Sequence, residues 1–204
     1  MTKDEVETEH KGTRMNKTIW QFQADTIENW AYADNLFTTE ECAQIIAMGN
    51  VKLEEAKIGG DKVDKDMRES QISWLQGDEA EFIYRRVTDA ILTINNKFFQ
   101  FDLFGFAEGF QFTKYDAPSG HYGMHIDKML GGTVRKLSLT IQLSAPEDYD
   151  GGELVLQTAG DVEIMPKELG KMVVFPSYVL HEVRPVTRGT RYSLVAWISG
   201  KPFK

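Results

Sequence analysis

After Glu108 the chain alternates between apolar and polar residues with a period of two, in eight short runs: Gln111 to Tyr115, Tyr122 to Asp127, Lys136 to Ser144, Glu153 to Gln157, Val162 to Met165, Lys171 to Phe175, Val179 to Arg184 and Arg191 to Ser199. Glycine, proline and aspartate separate them. Successive side chains of a strand point to opposite faces, so runs of this kind read as short strands joined by turns. Eight such strands predict a double-sheet jelly roll. The half before them has a different period. Thr38 with Glu41 is a capping-box pattern that opens a helix over Thr39 to Met48, with Gly49-Asn50 as its stop. Asp78 with Glu81 suggests a second one, opening a longer helix to about Lys97. In that helix Ile83, Val87, Ala90, Ile91, Ile94 and Phe98 form a stripe to be buried against the outside of a sheet.

The expected class is therefore α+β, mainly β, with packing helices supplied by the N-terminal half. Residues 1–17 are polar and aperiodic and read as a tail; 18–204 read as one domain, with 18–107 mostly helical support and 108–200 the jelly-roll core. Ile19 to Trp30 carries Trp20, Phe22 and Trp30 and suggests an extended segment packed on the body. The segment from Lys52 to Lys65, with Gly59-Gly60, reads as a loop, and Lys128 to Thr133 as a loop at the rim of the barrel mouth.

At 204 residues, 42% hydrophobic and 26% charged, the chain can bury one sizeable core. Its net charge of −8 argues against a general nucleic-acid binder. Cys42 is the sole cysteine, which rules out an intrachain disulfide and makes a reducing cytoplasm the easier setting. Neither a signal-peptide core nor eighteen consecutive apolar residues occurs, so neither export nor membrane insertion is expected.

Within the β-rich half, His125 and Asp127 stand at i and i+2 of one run, and His181 follows 54 residues after Asp127. Residues two apart on a strand face the same way and can close on one ion. Two imidazoles and one carboxylate on one face of an octahedron are the ligand set of mononuclear non-haem Fe(II) oxygenases, with the other positions open. Ten residues after His181, Arg191 begins a run that puts Arg191, Ser193, Val195 and Trp197 on one face. A guanidinium and a hydroxyl there make a forked receptor for a carboxylate.

Taken in order, Lys-Tyr-Asp (114 to 116), His-Tyr-Gly-Met-His-Ile-Asp-Lys (121 to 128), Asp-Tyr-Asp-Gly-Gly-Glu-Leu (148 to 154), Val-Phe-Pro-Ser (174 to 177) and Leu-His-Glu-Val-Arg-Pro-Val-Thr-Arg-Gly-Thr-Arg (180 to 191) resemble the 2-oxoglutarate and Fe(II)-dependent dioxygenases. The similarity is to their prolyl-hydroxylase-like branch with the PKHD-type hydroxylases, over about residues 68 to 199. It implies a double-stranded β-helix, the cupin-like jelly roll. It also implies His125, Asp127 and His181 as iron ligands, and Arg191, helped by Ser193, as the anchor for the distal carboxylate of 2-oxoglutarate. Tyr115 and Tyr122 match tyrosines that line the cosubstrate pocket. The implied reaction uses Fe(II), 2-oxoglutarate and O2, with ascorbate as an accessory reductant, to hydroxylate a C–H bond while releasing succinate and CO2. A prolyl or lysyl side chain of a peptide or protein is the implied substrate, ahead of a small molecule.

Each of these residues also has a plainer reading. A strand His with an Asp two residues on is, in isolation, more often a structural pair, and Arg191 alone a surface charge or salt bridge. His121 reads equally as a group behind the site or a solvated loop histidine, and Trp74, Trp197 and the segment from Arg68 to Leu75 as structural. Two rival functions stay open: a zinc-dependent hydrolase or lyase, and a noncatalytic jelly-roll binding module.

Overall fold

Strand alternation resolves into two antiparallel sheets whose facing sides enclose a mouth. The structure, a computed structural model, describes residues 26–58, 63–106, 108–127, 132–158 and 160–202. Strands run in chain order as β1 (Ala31–Ala33), β2 (Glu54–Glu55), β3 (Arg68–Glu69), β4 (Gln71–Leu75), β5 (Leu103–Phe106), β6 (Phe110–Asp116) and β7 (His121–His125). They continue as β8 (Arg135–Gln142), β9 (Tyr149–Gly151), β10 (Leu154–Thr158), β11 (Asp161–Ile164), β12 (Met172–Pro176), β13 (Leu180–Val183) and β14 (Val186–Gly200). The larger sheet has the order β1-β12-β8-β14-β6-β4-β2, with β5 and β9 also on β14; the smaller is β11-β10-β13-β7-β3. This is the expected double-stranded β-helix, and each of the eight expected strands is present with ends shifted by a few residues. The N-terminal half contributes more than helices, since β1 to β4 extend both sheets.

The two faces of the larger sheet differ in chemistry. Its outer face is apolar: Phe110, Phe112, Leu137, Leu139, Ile141, Val174, Leu194 and Ala196 pack with Ile45 of α1 (Thr39–Gly49) and with Ile83, Val87, Ile91 and Ile94 of α2 (Glu81–Ile94). Its inner face is largely polar yet buried, carrying Gln111, Thr113, Ser138, Thr140, Gln142, Arg191 and Ser193. A second apolar cluster, including Tyr115, Leu154, Leu156, Phe175 and Val183, closes the space between the sheets behind that polar strip.

The α1 capping box forms as expected: Thr38 Oγ1 accepts from Glu41 N–H at 3.3 Å and Glu41 Oε2 accepts from Thr38 N–H at 2.9 Å. Gly49 ends the helix for a different reason from the one its sequence suggests. Its backbone is ordinary right-handed helix, and a Cβ there would lie 2.2 Å from the Phe112 ring, so glycine is needed for close helix–sheet approach. The second expected capping box does not form. Asp78–Ala80 is a 3-10 turn, Gly77 before it has φ +81°, and Ala80 caps α2 without a side-chain hydrogen bond. The helix also ends earlier than Lys97, at Ile94, followed by a π turn over Asn95–Phe99 that closes on left-handed Gln100. Ile83, Val87, Ile91 and Ile94 are buried as the stripe requires, and Ala90 and Phe98 pack beside them. Residues 1–25, which hold the expected tail and most of the expected extended segment, lie outside the described residues, as do 59–62 and 128–131 of the two expected loops. Among the described residues no helix is long and apolar enough to cross a membrane.

Candidate metal centre and anion pocket

Register, more than alternation, brings the two histidines together. β13 pairs β7 with His181 directly opposite His125, and a bulge follows before Val183 meets Tyr122. The imidazole centroids are 4.2 Å apart. Asp127 arrives differently from the expectation that it shares a strand with His125: β7 ends at His125, and Asp127 is the second residue beyond it. It is turned inward because its N–H donates to Ser177 O at 3.2 Å and its carboxylate accepts from the Ser138 hydroxyl, which also contacts Ser177 Oγ at 2.9 Å. One ligand-capable atom from each of His125, Asp127 and His181 lies within 4.8 Å of the others.

The chemistry of these donors suits a divalent cation. His125 Nδ1 donates to Gly123 O at 2.7 Å and His181 Nδ1 to Val179 O at 2.9 Å, since a carbonyl oxygen can only accept. In the neutral rings the Nε2 lone pairs are therefore left for a metal. Burial, reinforced by His181, pushes the His125 pKa down to about 4, so this ring is uncharged at neutral pH. The sign for stability follows. The unfolded chain takes up a proton near the ordinary 6.5 that the folded ring refuses until about 4, so metal-free protein is expected to lose stability as pH falls through that interval. Denaturant midpoints measured across it should decline, and should decline less in His125→Asn.

Tyr122 lies flat on His125, with centroids 3.6 Å apart and planes at 18°, and the guanidinium carbon of Arg68 is 4.4 Å from the Tyr122 centroid. Burial raises the Tyr122 pKa, so its phenol stays protonated. Arg68 is 6% exposed and donates to Ser70 Oγ and Gln111 Oε1, each at 2.9 Å. The sequence marks Arg68 only as part of a structural strand; its place at the mouth comes from β3 pairing with β7. His121 stands apart from the centre, with Nδ1 at 2.8 Å from Ser119 O and Nε2 at 3.1 Å from Asp66 O.

Across the enclosure, Arg191 is 1% exposed on the inner face of β14. Its Nη2 donates to Gln142 Oε1 at 3.0 Å, Nη1 is 3.5 Å from Ser193 Oγ, and Tyr115 lies beneath it with the ring centroid 5.4 Å from Cζ. Neither Arg191 Nε nor the neighbouring Tyr149 hydroxyl has a hydrogen-bond partner among the described residues. A buried cation flanked by orphaned polar groups and lacking a carboxylate contact is a site built for an external anion. Burial raises the Tyr149 pKa against the pull of Arg191. Gly152, at φ +63°, lets the chain pass this pocket: a Cβ there would meet Arg191 Cδ at 3.1 Å and Tyr149 Cε2 at 3.2 Å.

Beside the three ligand-capable residues, a cavity of about 700 Å³ opens outward between Lys57, Trp74, Glu108, Arg135 and Trp197. Trp74 and Trp197, which read as packing residues from sequence, form part of its wall with ring centroids 6.4 Å apart. The sequence signal for the inner wall is the set of polar residues at alternate positions of apolar strands, Gln111 and Thr113 on β6 and Ser138, Thr140 and Gln142 on β8. Alternation alone does not mark these residues as a site.

A family model described as the 2OG-Fe(II) oxygenase superfamily matches residues 110–199. Over this segment, somewhat less than half of the chain, the protein is similar to that superfamily. The chain is 42% identical over 90 residues to a PKHD-type hydroxylase of Gloeothece citriformis, covering 43% of this chain and 40% of that one. It is 48% identical over 82 residues to a PKHD-type hydroxylase of Hyphomonas neptunium, covering 38% and 37%. The matches thus span about two fifths of those relatives' length. The fold is similar to a Trichoplax adhaerens prolyl hydroxylase in complex with a hypoxia inducible factor oxygen degradation domain peptide fragment, with TM-score 0.72, 18% identity and 84% of each chain covered. It is also similar to a Pseudomonas putida prolyl-4-hydroxylase, with TM-score 0.64, 24% identity, and 85% and 94% covered.

Proposed function

We propose that the chain is an Fe(II)- and 2-oxoglutarate-dependent hydroxylase acting on a prolyl or lysyl residue of a peptide or protein. One observation carries this reading: three ligand-capable groups converge on an enclosure lined by Tyr115, and against that ring lies a buried arginine that has no acidic partner among the described residues. His125, Asp127 and His181 would hold Fe(II), and Arg191, with Ser193 and Gln142, would hold the distal carboxylate of 2-oxoglutarate. When bound, Fe(II) with 2-oxoglutarate and O2 supplies oxidative decarboxylation to succinate and CO2, coupled to hydroxylation of a C–H bond. The protein's share is positioning and shielding. Ser138 and the carbonyls of Gly123 and Val179 orient the three ligands, Tyr115 and Tyr122 wall the cosubstrate, and the buried inner face keeps water from the reacting atoms.

A peptide suits the mouth cavity, and the Trichoplax relative's peptide complex supports that substrate class. Ascorbate would serve as accessory reductant. The unit is read as one domain over 18–204, and a buried, unpaired Cys42 suits a reducing cytoplasm.

Anaerobic addition of Fe(II) and then 2-oxoglutarate to the metal-free protein is expected to produce a weak visible charge-transfer band. Zinc cannot produce that band, and a binding module has no reason to. Its absence at saturating ligand would overturn the reading in favour of a zinc enzyme or a noncatalytic module. Candidate peptides incubated with the enzyme and searched by mass spectrometry for a gain of one oxygen then test the substrate.

A further inference from the structure

One cation at the mouth faces two carboxylates at once. Arg135 Nη2 donates to both oxygens of Glu108, at 2.8 and 2.6 Å, while its Nη1 lies 3.7 Å from Asp127 Oδ1. Its Cζ is 3.8 Å from the Trp197 ring centroid, so the guanidinium rests on an aromatic face beside both acids. Trp197 supports it from below without choosing between them. Arg135 is already within ion-pair distance of the carboxylate that a metal would need.

We propose that Glu108 is a positioning residue that holds Arg135 off Asp127 and cancels its charge, keeping that carboxylate available to a divalent cation. The inference rests on the triad being a metal centre. An arginine that closed on Asp127 would compete with the metal for the same lone pairs. Even without closing, an unneutralised positive charge a few ångströms away would repel a dication. Glu108 opposes both effects with short, charge-assisted hydrogen bonds from a position 27 residues earlier in the chain. The other described partners of Asp127 are the Ser138 hydroxyl, which donates to its carboxylate, and His181 Nε2, 3.9 Å from Oδ2. Among the described residues Arg135 is the permanently charged cation within ion-pair distance of Asp127, and its position sets the competition.

The test uses Mn(II), which accepts imidazole and carboxylate ligands, titrated into the metal-free full chain with free Mn(II) followed by electron paramagnetic resonance. Glu108→Gln is expected to weaken binding about tenfold, and Glu108→Gln with Arg135→Gln to return it to within about twofold of wild type. Arg135→Gln alone should bind at least as tightly as wild type. Glu108→Gln binding at wild-type strength would overturn the proposal. So would a double variant as weak as Glu108→Gln, because the loss would then come from packing. Arg135→Gln binding more weakly than wild type overturns it too, and stays readable if Glu108→Gln fails to fold. Wild-type protein that takes up no Mn(II) has a different signature: it removes the metal centre itself and this inference with it.

Discussion

Asp127→Ala is expected to reduce Fe(II)-dependent conversion of 2-oxoglutarate to succinate more than about a hundredfold, since even the outer partners of a metal ligand are worth about 10- to 100-fold. Asp127 is the one anionic member of the triad, so its loss removes both a donor atom and the charge that offsets the cation. The fold should survive. Asp127 lies just past the end of β7, and the Ser138 and Ser177 hydroxyls, 2.9 Å apart, still satisfy one another when the carboxylate is gone. Succinate formation at saturating Fe(II), read beside the thermal midpoint of the metal-free protein, separates the two effects. An Asp127→Ala enzyme that kept a substantial share of wild-type turnover would mean the carboxylate is not a ligand.

Arg191→Met should have the second largest effect and should split affinity from stability. Loss of two charge-assisted hydrogen bonds at about 1.5–3 kcal/mol each raises the 2-oxoglutarate requirement on the order of a hundredfold or more. The ligand-free protein should be no less stable than wild type. In that state Arg191 is a buried cation with an unsatisfied Nε and no acidic partner among the described residues, and an apolar chain of similar length relieves that burden. Thermal midpoints with and without 2-oxoglutarate, in the presence of Mn(II), check both halves. Wild type should gain stability from the cosubstrate and Arg191→Met should not. A variant destabilised without ligand yet still stabilised by 2-oxoglutarate would reassign Arg191 to a structural role.

Where a residue's partners are local, the sequence is readable. Period-two strands and the Thr38/Glu41 cap depend on neighbours within four positions, and they form as expected. Asp78 with Glu81 has the same pattern but no cap, because Gly77 sends the chain into a 3-10 turn first. Asp127 points inward as expected, though through Ser138 and Ser177 rather than strand alternation. The pairings among the residues that surround the candidate site are hidden for one reason. Arg68 meets Gln111, Arg135 meets Glu108 and Arg191 meets Gln142 across separations of 43, 27 and 49 residues, set by strand order, which no local pattern encodes. Trp197 sits on the face that alternation predicts and yet does a different job, because alternation shows which side a ring points to and not whether that side is filled.

His125 and His181 come from the smaller sheet, Arg191 from the larger, and Asp127 is tethered to Ser138 of the larger. Anything that grips all four therefore stitches one leaf of the sandwich to the other, much as a clasp closes a book. Emptied of its occupants, the protein should breathe most along that seam, where amide hydrogens of β7 and β13 would exchange fastest among the paired strands, and loading should quiet them together.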